Sequence, residues 1–470
     1  MELDRHICYR ALTTRDARFD GRFFTGVRTT GIYCRPVCPA VTPKERNVDF
    51  YACAAAAEQA GFRPCKRCRP ETSPGTPAWL GTSATVSRAL RLIGEGALDE
   101  GTVSDLADRL GVGSRHLTRL FHEHLGTTPV AVAQTRRVHF ARNLIAQTEL
   151  PMAQVALAAG FGSLRRFNVL VKGTFGDTPT GLRRRTGKSL GAGFTCRLPY
   201  REPYDWDGLL SFLAARALPG VEEVEDGVYR RTIRWGGMAG AMAVSQPDAG
   251  HLVLAVDLPR LDGAIALVDR VRRMFDCGAD PGAIAAQLGE DSLLASSVAK
   301  RPGLRVPCAW DPFELAVRAV VGQQISVAGA RTIGGRIARR CGETSGGPLP
   351  RLFPTATQLA AADLDGLGLT GRRIVTLQGL ARAVAAGELD LDTPRGVDTF
   401  VADLCALPGI GPWTAQYIAM RGLGEPDAFP DTDLGLRKAA PGVDLIARAE
   451  DWRPWRAYAA LHLWASLGDE

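Results

Sequence analysis

The sequence contains no long apolar run and few cysteines. Nowhere in its 470 residues is there an uncharged apolar stretch of about 18 residues, the length that a membrane-spanning helix needs. The first ten residues, MELDRHICYR, carry charges where a secretory signal would have its apolar core. Eleven cysteines are too few for a secreted scaffold held by disulfides. We therefore expect a cytoplasmic protein with no membrane partner, whose cysteines are mostly thiols.

The length excludes a single hydrophobic core. A chain of 470 residues is expected to divide into roughly three domains. The segment ETSPGTPAWLGTS, at 71–83, is rich in Pro, Gly, Ser and Thr and has no apolar periodicity. This composition predicts a linker that ends the first domain.

Two closely spaced cysteine pairs stand out in this dilute set. Cys34 and Cys38 lie in TTGIYCRPVCPA, and Cys65 and Cys68 lie in FRPCKRCRPE. Either pair could be a disulfide, half of a metal site or a reactive thiol, but two short spacings joined by a long loop are typical of zinc ribbons. Four thiolates also suit Zn²⁺ better than other common ions. The spacing therefore predicts one Zn²⁺ site and, by itself, favours a purely structural one.

Positive charge is concentrated in the N-terminal part of the chain. Residues 1–188 contain 28 Lys and Arg against 16 Asp and Glu, a net charge of +12, whereas the remainder has a net charge of −5. Basic residues crowd the second cysteine pair in RPCKRCRP. A cationic surface beside a metal site indicates contact with phosphates, although a merely solvated charged face is the alternative.

Two similar helical patterns follow the predicted linker. Residues 102–126 predict a short helix, a Gly-Val-Gly turn and a second helix capped by Ser114. Residues 151–176 repeat this pattern with Gly-Phe-Gly and a cap at Ser163, and 130–148 predict a longer helix between the two units. Two helix-turn-helix units at this spacing predict binding to double-stranded DNA. The side chains expected to reach phosphates and base edges are Arg115, His116, Arg119, Arg165, Arg166 and Asn168.

The N-terminal motifs resemble those of a known family. Residues 1–75, with RTTGIYCRPVCPA, ERNVDFY and AGFRPCKRCRP, resemble the N-terminal domain of the Ada adaptive-response family, and residues 84–187 resemble its AraC-type DNA-binding domain. The resemblance implies that Zn²⁺ is bound by Cys34, Cys38, Cys65 and Cys68. It also implies that Cys34 accepts a methyl group from a methylphosphotriester in alkylated DNA, and that this methylation activates transcription.

The C-terminal half departs from the Ada pattern. The PCHR motif of the Ada O6-methylguanine domain does not occur, so that activity is not predicted. Two stretches, at 197–224 and 301–331, instead resemble AlkA-like 3-methyladenine DNA glycosylases of the helix-hairpin-helix superfamily. The resemblance implies an α+β subdomain at 195–305 and a helical glycosylase domain at 306–470.

The chemical signal of this half lies in LCALPGIGPWTAQYIAMRGLGEPDAFPDTDLGLRKA. LPGIG between two helices predicts a hairpin in which Gly409 and Gly411 let backbone N–H groups approach a DNA phosphate, although a bare helix-helix turn is the alternative. By resemblance, Asp433 is the catalytic carboxylate, and Asp431 matches a less constrained position. A carboxylate stabilises the oxocarbenium-like sugar that forms when the base leaves. Asp433 is also a candidate N-cap of the helix that follows.

Two groups used by other members of the superfamily are missing. Trp413 stands where the lyases carry a Schiff-base lysine, and no cysteine follows Cys405 that could bind an iron–sulfur cluster. The resemblance therefore implies a monofunctional glycosylase that uses water. It also implies a base pocket lined by Gln323, Trp413, Tyr417 and Trp464, in which aromatic rings attract cationic alkylated purines. Tyr417 could equally be a core residue.

These observations predict a mainly α multidomain fold: a small zinc-bound α+β domain, an all-α double helix-turn-helix domain, and an AlkA-like glycosylase with a small antiparallel sheet and a helix-hairpin-helix domain. The predicted function is methyl transfer from DNA methylphosphotriesters, methylation-activated transcription regulation, and excision of 3-methyladenine and 7-methylguanine. The alternative is a transcription regulator whose glycosylase fold has lost catalysis. The expected partners are alkylated and promoter DNA and the transcription machinery, and we expect a monomer.

Overall fold

The computed structural model describes residues 3–74, 84–99, 101–185, 194–392 and 397–467. Most of the predicted linker lies outside these residues. No helix in the described part is long and apolar enough to cross a membrane. The predicted mainly helical, multidomain fold with small sheets is confirmed.

The helices are, in chain order, α1 Arg5–Thr14, α2 Ala54–Gln59, α3 Ala84–Gly94, α4 Val103–Arg109, α5 Ser114–Leu125, α6 Pro129–Gln147, α7 Met152–Ala158, α8 Leu164–Phe175, α9 Pro179–Arg184, α10 Trp206–Arg216, α11 Ala264–Met274, α12 Pro281–Leu288, α13 Ala295–Lys300, α14 Pro312–Val321, α15 Val327–Cys341, α16 Ala356–Ala361, α17 Gly371–Ala385, α18 Val397–Cys405, α19 Pro412–Gly422, α20 Leu434–Ala439, α21 Leu445–Ala449 and α22 Arg456–Ser466. The strands are β1 Phe24–Val27, β2 Ile32–Cys34, β3 Val48–Tyr51, β4 Arg63–Pro64, β5 Phe194–Pro199, β6 Glu222–Glu225, β7 Val228–Trp235, β8 Met238–Asp248 and β9 His251–Asp257.

The chain divides into two compact units. The first comprises Met1–Glu202, Pro247–Arg272 and Cys277–Ala279, and the second comprises Pro203–Gln246, Arg273–Asp276 and Asp280–Glu470. The four domain boundaries drawn from the sequence stay a prediction.

The first unit begins with a small four-stranded sheet of order β3-β1-β2-β4. β1 is antiparallel to β2 and β3, whereas β4 runs parallel to β2. Aromatic rings pack on both faces of this sheet: Phe24 packs edge-on against Tyr33 on one face, and Phe23 packs edge-on against Phe50 on the other. Phe23 and Tyr33 are fully buried. A module of about 70 residues can bury only a small core, so a bound metal adds to its stability.

Seven helices, α3 to α9, follow in the first unit. Leu106 of α4 and Leu110, the residue that ends this helix, are buried, as their spacing predicts. The side chain of Ser163 caps α8 by accepting the N–H of Arg166, as predicted. The predicted cap at Ser114 is wrong. α5 begins at that residue, and Gly113 is its N-cap without a side-chain hydrogen bond. β5 and β9 form an antiparallel pair in the same unit.

The second unit contains the antiparallel strands β6, β7 and β8 and most of the C-terminal helices. Its helical part is built around α14, whose side chains are nearly all buried. α19 packs against α14 and α18. The turn between α18 and α19 is the predicted hairpin, and the loop after α19 leads to Asp433 at the start of α20.

Candidate functional site

The parallel pairing of β2 with β4 brings the two cysteine pairs together. Tyr33 pairs with Pro64, so the next residues along the strands, Cys34 and Cys65, leave the same edge of the sheet. The N–H of Cys65 bonds to the carbonyl of Tyr33 at 3.0 Å. The tight turns that follow each strand bring Cys38 and Cys68 back to the same place. The strand register therefore brings the four cysteines together.

The four sulfurs lie at distances that suit a tetrahedral metal ion. All four Sγ atoms are within 4.8 Å of one another, and Cys38 and Cys65 are 4.0 Å apart. Zinc–sulfur bonds of about 2.3 Å give tetrahedral edges of about 3.8 Å, close to the 4.0 Å between the Sγ atoms of Cys38 and Cys65. The backbone N–H of Arg35 donates to the Sγ of Cys68 at 3.4 Å. Such a bond favours a thiolate over a thiol, and the donor set fits Zn²⁺.

Cys34 differs from the other three cysteines in its access to solvent. Cys38, Cys65 and Cys68 are 7–8% exposed, whereas Cys34 is half-buried. Cys34, Cys38 and Cys65 line a cavity of about 420 Å³. The rim carries Arg63, Lys66 and Arg67, which are exposed and form no ion pair with the described part of the chain. The cluster therefore lies beside a cationic surface, and Cys34 is its least buried residue.

A buried hydrogen-bond cluster joins the zinc module to the long helix α6. The carboxylate of Glu58 accepts from the hydroxyl of Tyr33 at 2.9 Å, from Thr135 at 2.7 Å and from the ring of His139 at 2.9 Å. Burial would raise the pKa of Glu58, but His139 and the hydroxyl donors hold it below its usual value. Glu58 in turn raises the pKa of His139 against the effect of its burial. We treat the two as an ion pair, which the sequence reasoning missed.

Removal of His139 is expected to destabilise the first unit. His139→Leu leaves the carboxylate of Glu58 buried without its cationic partner and should lower the free energy of unfolding by about 3 kcal/mol. Because the folded pKa of His139 is raised, the contribution is complete below about pH 6.5 and is lost as the pH rises through the folded value. Denaturant titrations should therefore give a larger loss at pH 6 than at pH 9. The exposed His122, changed to leucine, is the control and should cost less than about 0.5 kcal/mol. An equal effect of both variants would contradict the ion pair.

The second helices of both helix-turn-helix units present cationic side chains to solvent. Arg115 and Arg119 are exposed on α5, and Arg165 and Arg166 are exposed on α8. Leu117, Phe121, Phe167 and Val171 bury the opposite faces of these helices. Arg119 forms a 3.5 Å ion pair with Glu123, which fixes its side chain only weakly at the surface. His116 and Asn168 are exposed as predicted.

The hairpin of the second unit needs glycine at one position. Gly409 has a φ of +89°, and a Cβ there would lie 2.1 Å from the hydroxyl of Thr376. Gly411 is different, because it takes an extended conformation as the N-cap of α19 and has open space beside it. The N-terminus of α19 lies next to this open space, and the N–H groups that follow Pro412 in its first turn have no partner within the helix. We predicted that both Gly409 and Gly411 are required, but the steric requirement for glycine applies only to Gly409.

Asp433 holds two tryptophans and begins a helix. One carboxylate oxygen accepts from the indole N–H of Trp413 at 2.7 Å, and the other accepts from that of Trp464 at 2.9 Å. The second oxygen also accepts the backbone N–H of Leu436 at 3.0 Å, so Asp433 is the N-cap of α20. The carboxylate is therefore fixed by three donors and remains half-buried. Asp431 lies two residues earlier in the loop before α20.

Three predicted aromatic residues of the base pocket meet beside this carboxylate. The rings of Trp413 and Tyr417 stack with centroids 5.5 Å apart and planes 12° apart, and Trp464 lies 6.4 Å from Tyr417. The side chain of Gln323, the fourth predicted pocket residue, contacts the hairpin. Its side-chain amide donates to the carbonyl of Gly409 at 3.1 Å and to the hydroxyl of Thr414 at 3.0 Å. Gln323 thus ties the end of α14 to the hairpin.

Sequence reasoning also missed the surroundings of Tyr417. Its phenol oxygen accepts a hydrogen bond of 2.5 Å from Arg421, which is 7% exposed. The two residues are four apart on α19, a spacing at which side chains on a helix meet, so the pattern was available in the sequence. The carbonyl of Pro307, which fixes Arg421 from the other side, could not be read from it.

Three parts of the chain match known protein families. Residues 7–71 match the family described as metal binding domain of Ada, and residues 106–185 match a helix-turn-helix domain. Residues 195–311 match the AlkA N-terminal domain. Zn²⁺ is therefore the cofactor of the four-cysteine centre.

Relatives cover the whole chain. The probable bifunctional transcriptional activator/DNA repair enzyme AlkA of Mycobacterium tuberculosis is 44% identical over 485 residues, which span 99% of this chain and 97% of the relative. DNA-3-methyladenine glycosylase 2 of Escherichia coli is 37% identical over 280 residues, 58% of this chain and 97% of that enzyme. A solved 3-methyladenine DNA-glycosylase from Archaeoglobus fulgidus, 22% identical, shares the fold at a TM-score of 0.51, covering 57% of this chain and 96% of its own. This chain belongs to the family of bifunctional transcriptional activator/DNA repair enzymes that join Ada-type metal-binding and helix-turn-helix domains to an AlkA-type glycosylase domain.

Proposed function

We propose that this protein repairs alkylated DNA in two ways and reports the damage to transcription. Its first unit takes a methyl group from a DNA methylphosphotriester onto Cys34 and then binds a promoter more tightly. Its second unit removes alkylated purines such as 3-methyladenine and 7-methylguanine by hydrolysis of the N-glycosidic bond. The observation that carries the proposal is the carboxylate of Asp433, fixed by two indole N–H groups beside a stacked aromatic pair.

The four cysteines all bind Zn²⁺, but only Cys34 is proposed to accept the methyl group. Bound Zn²⁺ keeps all four sulfurs as thiolates at neutral pH. The sulfur of Cys34 attacks the methyl carbon of the phosphotriester, so a carbon–sulfur bond forms, the carbon–oxygen bond breaks, and the phosphodiester leaves as an anion. Cys34 is the candidate because its three partners are buried. No step restores the thiolate, so each chain acts once.

Methylation changes the charge that the first unit presents to DNA. The thioether of methylated Cys34 carries no charge, so the four sulfurs together lose one negative charge. One charge about 6 Å from a phosphate is worth about 1 to 3 kcal/mol at effective dielectric constants near 20 to 80, which corresponds to about ten- to a hundredfold in affinity. Arg115, Arg119, Arg165 and Arg166 are the proposed contacts to promoter phosphates and bases.

The second unit is proposed to act without a lysine nucleophile or a general acid. The departing base is already cationic, so it needs no proton to leave. Asp433 stabilises the positive charge that develops on the sugar, and water completes the reaction. The rings of Trp413, Tyr417 and Trp464 receive the extruded base by stacking. Backbone N–H groups at the start of α19, after Gly409 and Gly411, hold a DNA phosphate.

One incubation tests both activities. Purified protein is mixed with methylated duplex DNA, and free bases and protein-bound methyl groups are measured in the same sample. The proposal expects continuous release of 3-methyladenine together with uptake of at most one methyl group per chain. Methyl uptake without base release would instead favour a regulator whose glycosylase fold is inactive.

A further inference from the structure

Tyr417, one of the two stacked rings beside Asp433, is hydrogen-bonded to a buried arginine. The phenol oxygen of Tyr417 lies 2.5 Å from Nη1 of Arg421, one turn further along α19. A guanidinium has donors only, so the phenol oxygen is the acceptor in this bond. Tyr417 is therefore held as an acceptor while its ring lies parallel to Trp413.

The side chain of Arg421 is held in a buried position. It is 7% exposed, and its Nε donates to the carbonyl of Pro307 at 2.7 Å. Its Cζ also lies 4.7 Å from the ring centroid of Phe212 and 5.4 Å from that of Tyr417. These contacts fix the guanidinium beside the phenol oxygen.

A second guanidinium shares this region. The Cζ of Arg216 lies 3.7 Å from the ring centroid of Phe212, the same ring that Arg421 contacts. Burial lowers the pKa of Arg216, Tyr417 opposes that effect, and Arg421 adds to it. Within the described residues, neither arginine has a carboxylate partner. The phenol oxygen of Tyr417 is thus the group that can offset the positive charges of Arg216 and Arg421.

The other charged groups around the stack are already compensated. Arg318 of α14 pairs with Glu222 and Glu314, each at 2.9 Å. Asp433 is bonded to the indoles and to the start of α20. Neither offers Arg216 or Arg421 an alternative to Tyr417.

We propose that Arg421, supported by Arg216, is a positioning residue that draws negative charge onto the phenol oxygen of Tyr417 and so makes the Trp413–Tyr417 stack prefer a cationic damaged base over a neutral one. This inference rests on the proposed excision activity. An electron-rich ring attracts a cation through its face, and a negative charge on the same ring adds a direct Coulomb attraction. Burial raises the pKa of Tyr417, but Arg421 and Arg216 outweigh it and hold the pKa below its usual value of about 10.

The test compares two substrates of different charge. The full-length protein is assayed on duplex DNA treated with dimethyl sulfate, which contains cationic 3-methyladenine, and on a duplex with one deoxyinosine, which contains neutral hypoxanthine. The readout is the ratio of the two kcat/KM values from pH 6 to pH 9. In the wild type this ratio is expected to rise with pH as negative charge builds on Tyr417.

The variants separate this role from a structural one. Arg421→Met removes the charge and is expected to lower the ratio about tenfold at pH 8, and Tyr417→Phe should lower it equally. The double variant should lower it no further, because both changes remove the same interaction. Arg421→Lys should keep most of the ratio. Arg382→Met, an exposed change on α17, is the matched control and should leave it unchanged.

The outcomes are distinct. Equal loss on both substrates in Arg421→Met, with an unchanged ratio, would overturn the inference and leave the proposed excision intact. Independent, additive effects of Arg421→Met and Tyr417→Phe would also overturn it. A wild-type protein that releases neither base would overturn the excision activity and this inference together. Thermal unfolding of every variant verifies that it is folded.

Discussion

Replacement of Asp433 by asparagine is expected to lower the release of 3-methyladenine by about a hundredfold or more. Asparagine keeps the size of the side chain and can still cap α20, but it removes the negative charge that stabilises the sugar cation in the transition state. Its amide nitrogen would also face an indole N–H of Trp413 or Trp464, a donor against a donor. Single-turnover base release measures the loss. DNA binding should persist or tighten, since one negative charge near the phosphates is gone.

Asp431→Asn is the matched control for this change. Both acids lie in the loop that leads into α20, but only Asp433 bonds to Trp413 and Trp464. The control should therefore keep most of the activity. Loss of release in the Asp431 variant with a fully active Asp433 variant would place the catalytic carboxylate two residues earlier. Activity in both variants would contradict the carboxylate mechanism.

Replacement of Cys34 by alanine is expected to abolish the uptake of methyl groups from methylphosphotriesters. Cys38, Cys65 and Cys68 are more deeply buried than Cys34, so we expect none of them to replace it as the acceptor. Radiolabelled methyl transfer from methylated DNA measures the loss. In the wild type, peptide mapping should find a methyl group in place of a hydrogen on the peptide that contains Cys34. The methylated protein should bind its promoter DNA about ten- to a hundredfold more tightly than the unmethylated protein.

Cys341→Ala is the control for a general loss of thiol. Cys341 is also half-buried, but it belongs to α15 and lies far along the chain from the four-cysteine cluster. It should take no methyl group and leave uptake unchanged. Methyl label on Cys38, Cys65 or Cys68 would reject the assignment of Cys34. An unmethylated protein that binds the promoter as tightly as the methylated one would contradict the proposed charge switch.

The features predicted correctly from the sequence were those whose residues lie close together along the chain. The cysteine spacings predicted a zinc site because each ligand pair sits within one turn of a loop. The two helix-turn-helix units were visible because helical periodicity and the intervening glycines repeat at short range. LPGIG marked the hairpin for the same reason, and Asp433 followed as the N-cap of the next helix. Local backbone geometry decides each of these features, and a short stretch of sequence is enough to predict it.

The contacts that tune these sites were decided by the tertiary structure. Glu58 meets His139 from 81 residues away, and the two tryptophans bonded to Asp433 lie 20 and 31 residues from it. Arg216 reaches the surroundings of Tyr417 from a separate helix, where burial leaves it without a carboxylate partner. Burial strengthens a charge interaction by excluding water, but which charges are buried together depends on how distant segments pack. The sequence by itself thus determined which chemical groups this protein carries, and only the folded chain determined which cation stands beside which anion.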